Sequence, residues 1–226
     1  MLNVETTEAW VAAHRGGSIG ILELSGAVND RASPELDGLK RQVESRIRAS
    51  YSNVSRQELL ALPVMAAYDR YYKRFKKTYH VQLQLESIAL KGKSLPNVSP
   101  LVDACFLTEV ETFVLTASHD VAKLEGRILL DVSLEGDRIV QMNGQTKELY
   151  PGDMIMRDDR GVCCSIIYGQ DNRSPVSTTT SQVLYVAYAP PGVGAEAVAT
   201  HLHKIEEAVR LFSPGIKEEQ RKVFSA

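Results

Sequence analysis

The sequence predicts an α+β fold, a helical N-terminal half packed on an antiparallel or mixed β-sheet half, on three observations. Between Ser33 and Glu111, apolar residues recur every three or four positions behind serine and proline helix starts. From Phe113 to Ala189 the texture changes to short apolar runs separated by Asn-Gly and Asp-Arg-Gly turns. A last amphipathic stretch, about Gly194 to Phe212, carries Val198, Leu202, Ile205, Val209 and Phe212 on one face. At 226 residues, 44% hydrophobic and 24% charged, the chain can bury a sizeable core, which excludes disordered, collagenous and coiled-coil classes.

Taken in order, Thr6 to Ala13 suits a short helix, and Ile19-Gly20-Ile21-Leu22-Glu23-Leu24 suits a buried strand. Ser33-Pro34-Glu35 supplies an N-cap, a first-turn proline and an acid at the positive dipole end for a helix to about Ala49. A second helix begins near Ser55, bends or restarts at Pro63 and continues through Met65, Tyr68, Tyr72 and Phe75. A third spans Val81 to Leu90. After Gly92 and the polar joint Ser94-Leu95-Pro96-Asn97, Ser99-Pro100 starts a fourth that runs to about Glu111. The strands expected next are Arg127–Leu134, Arg138–Met142, Asp153–Arg157, Val162–Tyr168 and Gln182–Ala189. The pattern describes one domain over 1–226, helix-rich to about 112, sheet-rich over about 113–212, with a short tail at 213–226.

No apolar run approaches the ~18 residues of a membrane span, and the first residues lack the pattern of a secretion signal, so a soluble, cytoplasmic protein is expected. Three cysteines, Cys105 and the adjacent pair Cys163 and Cys164, make a poor disulfide framework and predict reduced thiols. The net charge of −2 hides a split: from Lys40 to Lys93 there are twelve Lys and Arg against four Asp and Glu, and the remainder is acidic. An anionic partner on one face, or a merely solvated helix face, accounts for such a sector.

Three motifs fail on context. Gly16-Gly17-Ser18-Ile19-Gly20 matches a nucleophile elbow, but the strand follows the serine instead of preceding it. Gly192-Val193-Gly194-Ala195-Glu196-Ala197 matches a dinucleotide turn, yet no second strand remains to carry the ribose-binding acid. His201 and His203, two apart on a helix, face different ways and cannot share a metal, so no metal or other cofactor is expected. The run Tyr71-Tyr72-Lys73-Arg74-Phe75-Lys76-Lys77-Thr78-Tyr79-His80 is different in kind. Interleaved cations and aromatics can neutralise phosphates and stack bases; the same spacing equally describes a helix with core aromatics and solvated lysines.

The stretch from Ser99 to Gly126 resembles a segment of the phenylalanyl-tRNA synthetase beta chain. Asp103, Glu111, Asp120, Lys123, Leu124 and Gly126 fall, without a gap, on that family's N-x-V-V-D-x-x-N-Y-x-M-x-E-x-G-x-P-x-H-A-F-D-x-x-K-L-x-G pattern. Met154 to Asp158 resembles the family's next strand, Ile167-Tyr168-Gly169-Gln170 its Gly-Gly-Glu position, and Ser174, Val176 and Thr180 the turn after it. The likeness extends to free-standing versions of this editing and tRNA-binding domain, which corresponds to the third and fourth modules of the beta chain. They share the joint seen here from Leu90 to Asp103, the Asp158-to-Val162 hairpin and the Gln170-to-Arg173 loop. The likeness covers nearly the whole chain, from about His14 to Phe212.

The resemblance implies a free-standing tRNA-binding protein that hydrolyses mischarged aminoacyl-tRNA in trans, with tRNA or aminoacyl-tRNA as partner and neither membrane nor DNA. Aminoacylation itself is not expected. The alternative is a non-catalytic RNA-binding or amino-acid-sensing protein that keeps the fold. The family's histidine falls on Ala117, its asparagine on Phe106, and the glutamate that reads the tyrosine hydroxyl on Gln170. Candidates for chemistry are Gln170, Asp171, Arg173 and His119, and for substrate binding Asp120, Gln170, Asn172 and Ser174, with a small pocket drawn from the second half. Asp120 equally suits a turn cap before Lys123, the loop a hydrogen-bonded turn with an internal Asp-Arg pair, and Asp103 a structural role. Phosphate contacts are expected from Lys73, Arg74, Lys76, Lys77, Lys91 and Lys93.

Overall fold

In the computed structural model, which describes residues 1–30 and 32–226, the chain begins with β1 (Val4–Thr6), α1 (Glu8–Ala13) and β2 (Ser18–Ser25). Five helices follow: α2 (Pro34–Tyr51), α3 (Arg56–Ala61), α4 (Pro63–Arg74), α5 (His80–Lys91) and α6 (Pro100–Thr112). The second half holds β3 (Leu115–Asp120), β4 (Ile128–Val132), β5 (Arg138–Val140), β6 (Thr146–Glu148), β7 (Met154–Asp158), β8 (Gly161–Ser165), β9 (Gly169–Gln170) and β10 (Gln182–Ala189). It ends in α7 (Ala195–Phe212) and β11 (Lys217–Ser225). The class is α+β.

Local chemistry sets the helix boundaries. Ser33 accepts a hydrogen bond from the Leu36 amide at 3.1 Å ahead of Pro34, and Ser55 and Glu58 form a reciprocal capping box. Pro63 starts a new helix: Leu62, the residue before it, is extended at ψ 133°, as the proline ring demands. Gly92, at φ 65°, closes α5 in the left-handed conformation.

Two sheets form the rest. One has the order β11-β2-β10-β3 and is antiparallel throughout, with Ser18 to Ser25 of β2 registered against Ala189 to Gln182 of β10. The other has the order β1-β4-β7-β8-β9, with β1 parallel to β4 and the other pairs antiparallel, and β5 and β6 make a separate hairpin. Helix α7 lies on β2, where Gly20 admits it: a Cβ there would collide with Val198 and Leu202.

The expected tail is corrected. Residues 217–225 are a nine-residue strand on the sheet edge, held by backbone pairing to β2 and by Gln220, which donates to Glu23 Oε2 at 2.7 Å. Its Lys, Glu, Gln and Arg residues hid it, because an edge strand needs little apolar surface and its charges discourage further pairing. The short β1, β3 and β6 also escaped the sequence reading. Ser18 is the first residue of β2, and the glycine-rich turn before α7 is a plain strand-to-helix connection. Among the described residues no helix is long and apolar enough to cross a membrane.

A buried cluster anchors the joint before α6. Lys40 is fully buried and donates to Asp103 Oδ2 at 2.8 Å, to the Pro96 carbonyl at 2.7 Å and to Asn97 Oδ1. Asp103 Oδ1 accepts from the Val98 amide at 2.9 Å, and Glu44 accepts from the Leu95 amide at 2.7 Å. Asp103 is thus structural. Truncating it strands a buried ammonium, so Asp103→Ala is expected to cost roughly 3–5 kcal/mol, read as a lowered urea midpoint at unchanged m-value.

Candidate functional site

Where the two sheets fail to close on each other, they and α6 enclose a cavity of about 330 Å³. Its walls come from Val102, Cys105 and Phe106 of α6, from Leu115 to Ser118 of β3, and from Ile166, Gly169 and Gln170 around β9. Val98 and Met142, 62% and 60% exposed, stand at its rim. The pocket is therefore not drawn from the second half alone, because α6 supplies one wall. Among the described residues no Asp, Glu, Lys or Arg lines it.

Gln170 is the sequence-predicted residue that does line it. Its Nε2 donates to the backbone carbonyls of Ser118 at 2.8 Å and Ser174 at 3.0 Å, which fixes the amide's orientation, since a reversed amide would face two oxygens with an oxygen. Its Oε1 has no hydrogen-bond partner among the described residues and is the acceptor left for an occupant.

Behind Gln170 runs a determinate polar chain. Ser174 Oγ donates to Asp171 Oδ1 at 2.6 Å and lies 2.7 Å from His119 Nδ1. The carboxylate only accepts, so the hydroxyl proton goes to Asp171 and Nδ1–H of His119 must donate to Ser174. His119 Nε2 is then bare, buried and without a partner. Burial, the largest influence, holds this imidazole down to about 3. The order of proton donation is the reverse of a nucleophile triad, and none of the three side chains lines the cavity.

The other expected site residues are placed as follows, Asp120 and Arg173 in the turn-cap and internal-pair roles that the sequence left open. His119, Asp171 and Ser174 are interior struts with at most 1% exposure. Arg173 is committed to Asp158 at 3.2 Å and Asp171 at 2.9 Å, the internal pair of a hydrogen-bonded loop. Asp120 caps the turn at Ala122, accepts from Thr180 at 2.8 Å and pairs with Lys123 at 3.4 Å. Asn172 is exposed, its amide donating to the Val140 carbonyl at 2.9 Å. Ala117 and Phe106, by contrast, do line the cavity beside Gln170. The signal for them was the resemblance, whose three departures from the family pattern converge on this one hollow.

The basic segment divides by helical face. Tyr71, Tyr72, Phe75 and Tyr79 are all buried and so are core, not stacking surface. Lys73, Arg74, Lys76 and Lys77 are exposed, with Lys73 paired to Asp69 at 2.6 Å. Lys76 and Lys77 lead directly into His80, which lines the cavity. Lys91 and Lys93 are also exposed but sit at the far end of α5, roughly 17 Å along the helix from His80, and do not belong to the same cluster. His201 is buried between Thr112 and Thr116, and His203 is exposed beside Glu207. Among the described residues no group of three His, Cys, Asp or Glu side chains could hold a metal ion.

A hydrogen-bonded polar loop thus backs a cavity next to an exposed run of cations, in an α+β fold. The B3/4 domain family model matches residues 65–223, and the chain belongs to that family. It is 22% identical over 209 residues to the phenylalanine–tRNA ligase beta subunit of Vibrio parahaemolyticus, covering 88% of this chain and 25% of that protein. It is 24% identical over 143 residues to the same subunit of Vibrio vulnificus, covering 61% of this chain and 18% of that protein. The chain thus spans a quarter or less of the length of these relatives. Among solved structures it is similar to an N-terminal fragment of the phenylalanyl-tRNA synthetase beta-subunit from Pyrococcus horikoshii, at a TM-score of 0.49 and 10% identity over 98% of this chain and 50% of that chain.

The geometry makes glutamine and glutamate non-equivalent at position 170. In Gln170→Glu a carboxylate would face the Ser118 and Ser174 carbonyls, raising its folded-state pKa above the unfolded one. The folded state then holds the proton more tightly, so stability returns as pH falls. The expected result is a loss of about 1–3 kcal/mol at pH 7.5 that shrinks at pH 4.5, measured by urea unfolding.

His119 has the opposite sign. Its folded-state pKa lies below the unfolded value, so the stability it contributes is present above about pH 6.5 and is lost as pH falls towards 3. His119→Asn is expected to make the stability-against-pH slope across that window shallower by one proton's worth.

Proposed function

We propose that this chain binds tRNA and acts in the cytoplasm as an editing-type deacylase, hydrolysing mischarged aminoacyl-tRNA in trans with the aminoacyl side chain seated in the cavity. The observation that carries this reading is the hollow itself. At about 330 Å³ it lies at the small end of the range of small-molecule sites, suited to one side chain rather than a nucleotide. Its largely apolar walls carry Gln170 Oε1 and the Tyr188 hydroxyl, neither with a hydrogen-bond partner among the described residues. A second sieve of this kind is what discrimination between similar side chains needs, because one methylene is worth only about 1–3 kcal/mol in a pocket.

The walls also limit the mechanism. Ser165 gives its proton to Asp153, and burial raises the Cys105 and Cys164 thiols, the latter to about 12. No side chain there is an activated nucleophile. Ester hydrolysis by this chain therefore rests on positioning a water or the ribose hydroxyl against the ester carbonyl, with the cavity fixing the acyl group. The same neutrality favours a second reading, a non-catalytic RNA-binding or amino-acid-sensing protein whose cavity reports occupancy.

A panel of mischarged tRNAs separates the two. Turnover with at least one pair, lost in the cavity-filling Ala117→Leu while tRNA affinity is kept, is the expected result; no turnover with any pair sinks the enzyme and leaves the sensor. For binding, Lys76→Glu with Lys77→Glu should weaken tRNA uniformly and flatten the log K against log salt slope by ~0.7–0.9 for each phosphate contact removed.

A further inference from the structure

The aromatics of the basic segment point inward, yet rings from elsewhere in the chain meet its cations. Tyr150, 48% exposed, stacks on Tyr168 with centroids 6.0 Å apart and planes at 28°. Lys77 Nζ lies 5.9 Å from the Tyr168 ring centre. Phe75 backs Tyr150 at 6.1 Å, with the Arg74 guanidinium 5.4 Å from the Phe75 ring. Tyr168 directly precedes Gly169 in the cavity wall, and its carbonyl is held at 2.8 Å by Gln141, the residue before rim-standing Met142. An exposed ring stacked on a half-buried one, edged by cations, therefore sits beside the cavity mouth.

Resting on the tRNA-binding reading, we propose that Tyr150 and Tyr168 are a stacking platform for the unpaired 3′-terminal bases of an RNA, with Arg74, Lys76 and Lys77 facing its phosphates. Stacking plus cations is the sequence-tolerant way to hold a single strand, since every base has a π-face. The platform leads such a strand towards the cavity, where the acyl group on its last ribose would enter. A structural role explains Tyr168, which packs on the small core of Ile139, Leu149, Ile155 and Val162, but not the exposed ring of Tyr150.

The test uses the full chain and two uncharged RNA hairpins, one blunt and one with a four-nucleotide 3′ overhang carrying 2-aminopurine. The expected result is fluorescence quenching on binding the overhang hairpin, with Tyr150→Ala and Tyr168→Ala each weakening it about 5- to 150-fold and removing the quenching. Blunt-hairpin affinity stays unchanged, and Tyr150→Phe and Tyr168→Phe, which keep the ring, restore the signal. Thermal melts of each variant report folding, and the exposed Tyr150 carries the test if Tyr168→Ala unfolds. Overhang binding without quenching, indifferent to the tyrosines, overturns the platform and leaves tRNA binding standing. Failure to bind either hairpin or intact tRNA overturns both.

Discussion

Ser174 ties the two sheets together, and the cavity depends on it. Its carbonyl accepts from the Asp120 amide of β3 at 2.9 Å and from Gln170 Nε2 of β9 at 3.0 Å. Its hydroxyl bridges His119 of β3 to Asp171 just beyond β9. Beside it, the Gln170 Nε2 bond to the Ser118 carbonyl at 2.8 Å joins the same strand to the end of the other sheet. His119, Ser174 and Asp171 are buried and bonded in series, with His119 Nε2 left bare, and such connected networks specify one geometry because each alternative strands a polar group.

That rigidity is bought with neutrality. The charged side chains face one another behind the wall, so among the described residues the wall offers an occupant no Asp, Glu, Lys or Arg, only apolar groups, the thiols, the hydroxyl-bearing Thr116, Ser118, Ser165 and Tyr188, His80 and the Gln170 amide. An ammonium group would lose its hydration inside and find no carboxylate, a penalty of several kcal/mol. On the proposed function, an aminoacyl ester would place only its side chain in the cavity, keeping its amino group at the wet mouth by Val98 and Met142. Gln170 Oε1 would then accept from a hydroxyl or N–H on that side chain.

What the sequence made legible follows from the range of the forces involved. Ser33, Ser55 and Pro63 announce helix starts because capping is decided within four residues, and Gln182–Ala189 reads as a strand because it is apolar throughout. The 217–225 strand is invisible to such reasoning, since its partner is some 200 residues away. The polar loop after Gln170 shows the same limit at the site. Composition revealed a concentration of Asp171, Arg173 and Ser174 but not that they bond to each other instead of facing a ligand. Only the aligned departures at Ala117, Phe106 and Gln170 pointed to the actual wall, because aligned positions inherit three-dimensional placement that composition lacks.

The basic segment joins these themes. The turn-by-turn periodicity that puts Lys73 and Arg74 outside puts Tyr71 and Tyr72 inside, and those two hydroxyls are spent on the sheet that forms the cavity. Tyr71 donates to Asp153 Oδ1 at 2.7 Å and accepts from the Met154 amide at 2.7 Å; Tyr72 donates to the Ile166 carbonyl at 2.7 Å. Ile166 itself lines the cavity. Desolvation by burial pushes both phenols well above their ordinary range, so they stay protonated donors at any physiological pH. The cationic face of α4 is therefore clamped, through its buried face, to the wall of the hollow. On the proposed function, a phosphate held on the outside would lie at a fixed distance from a group held inside, the positional constraint that a site acting on the end of a nucleic acid requires.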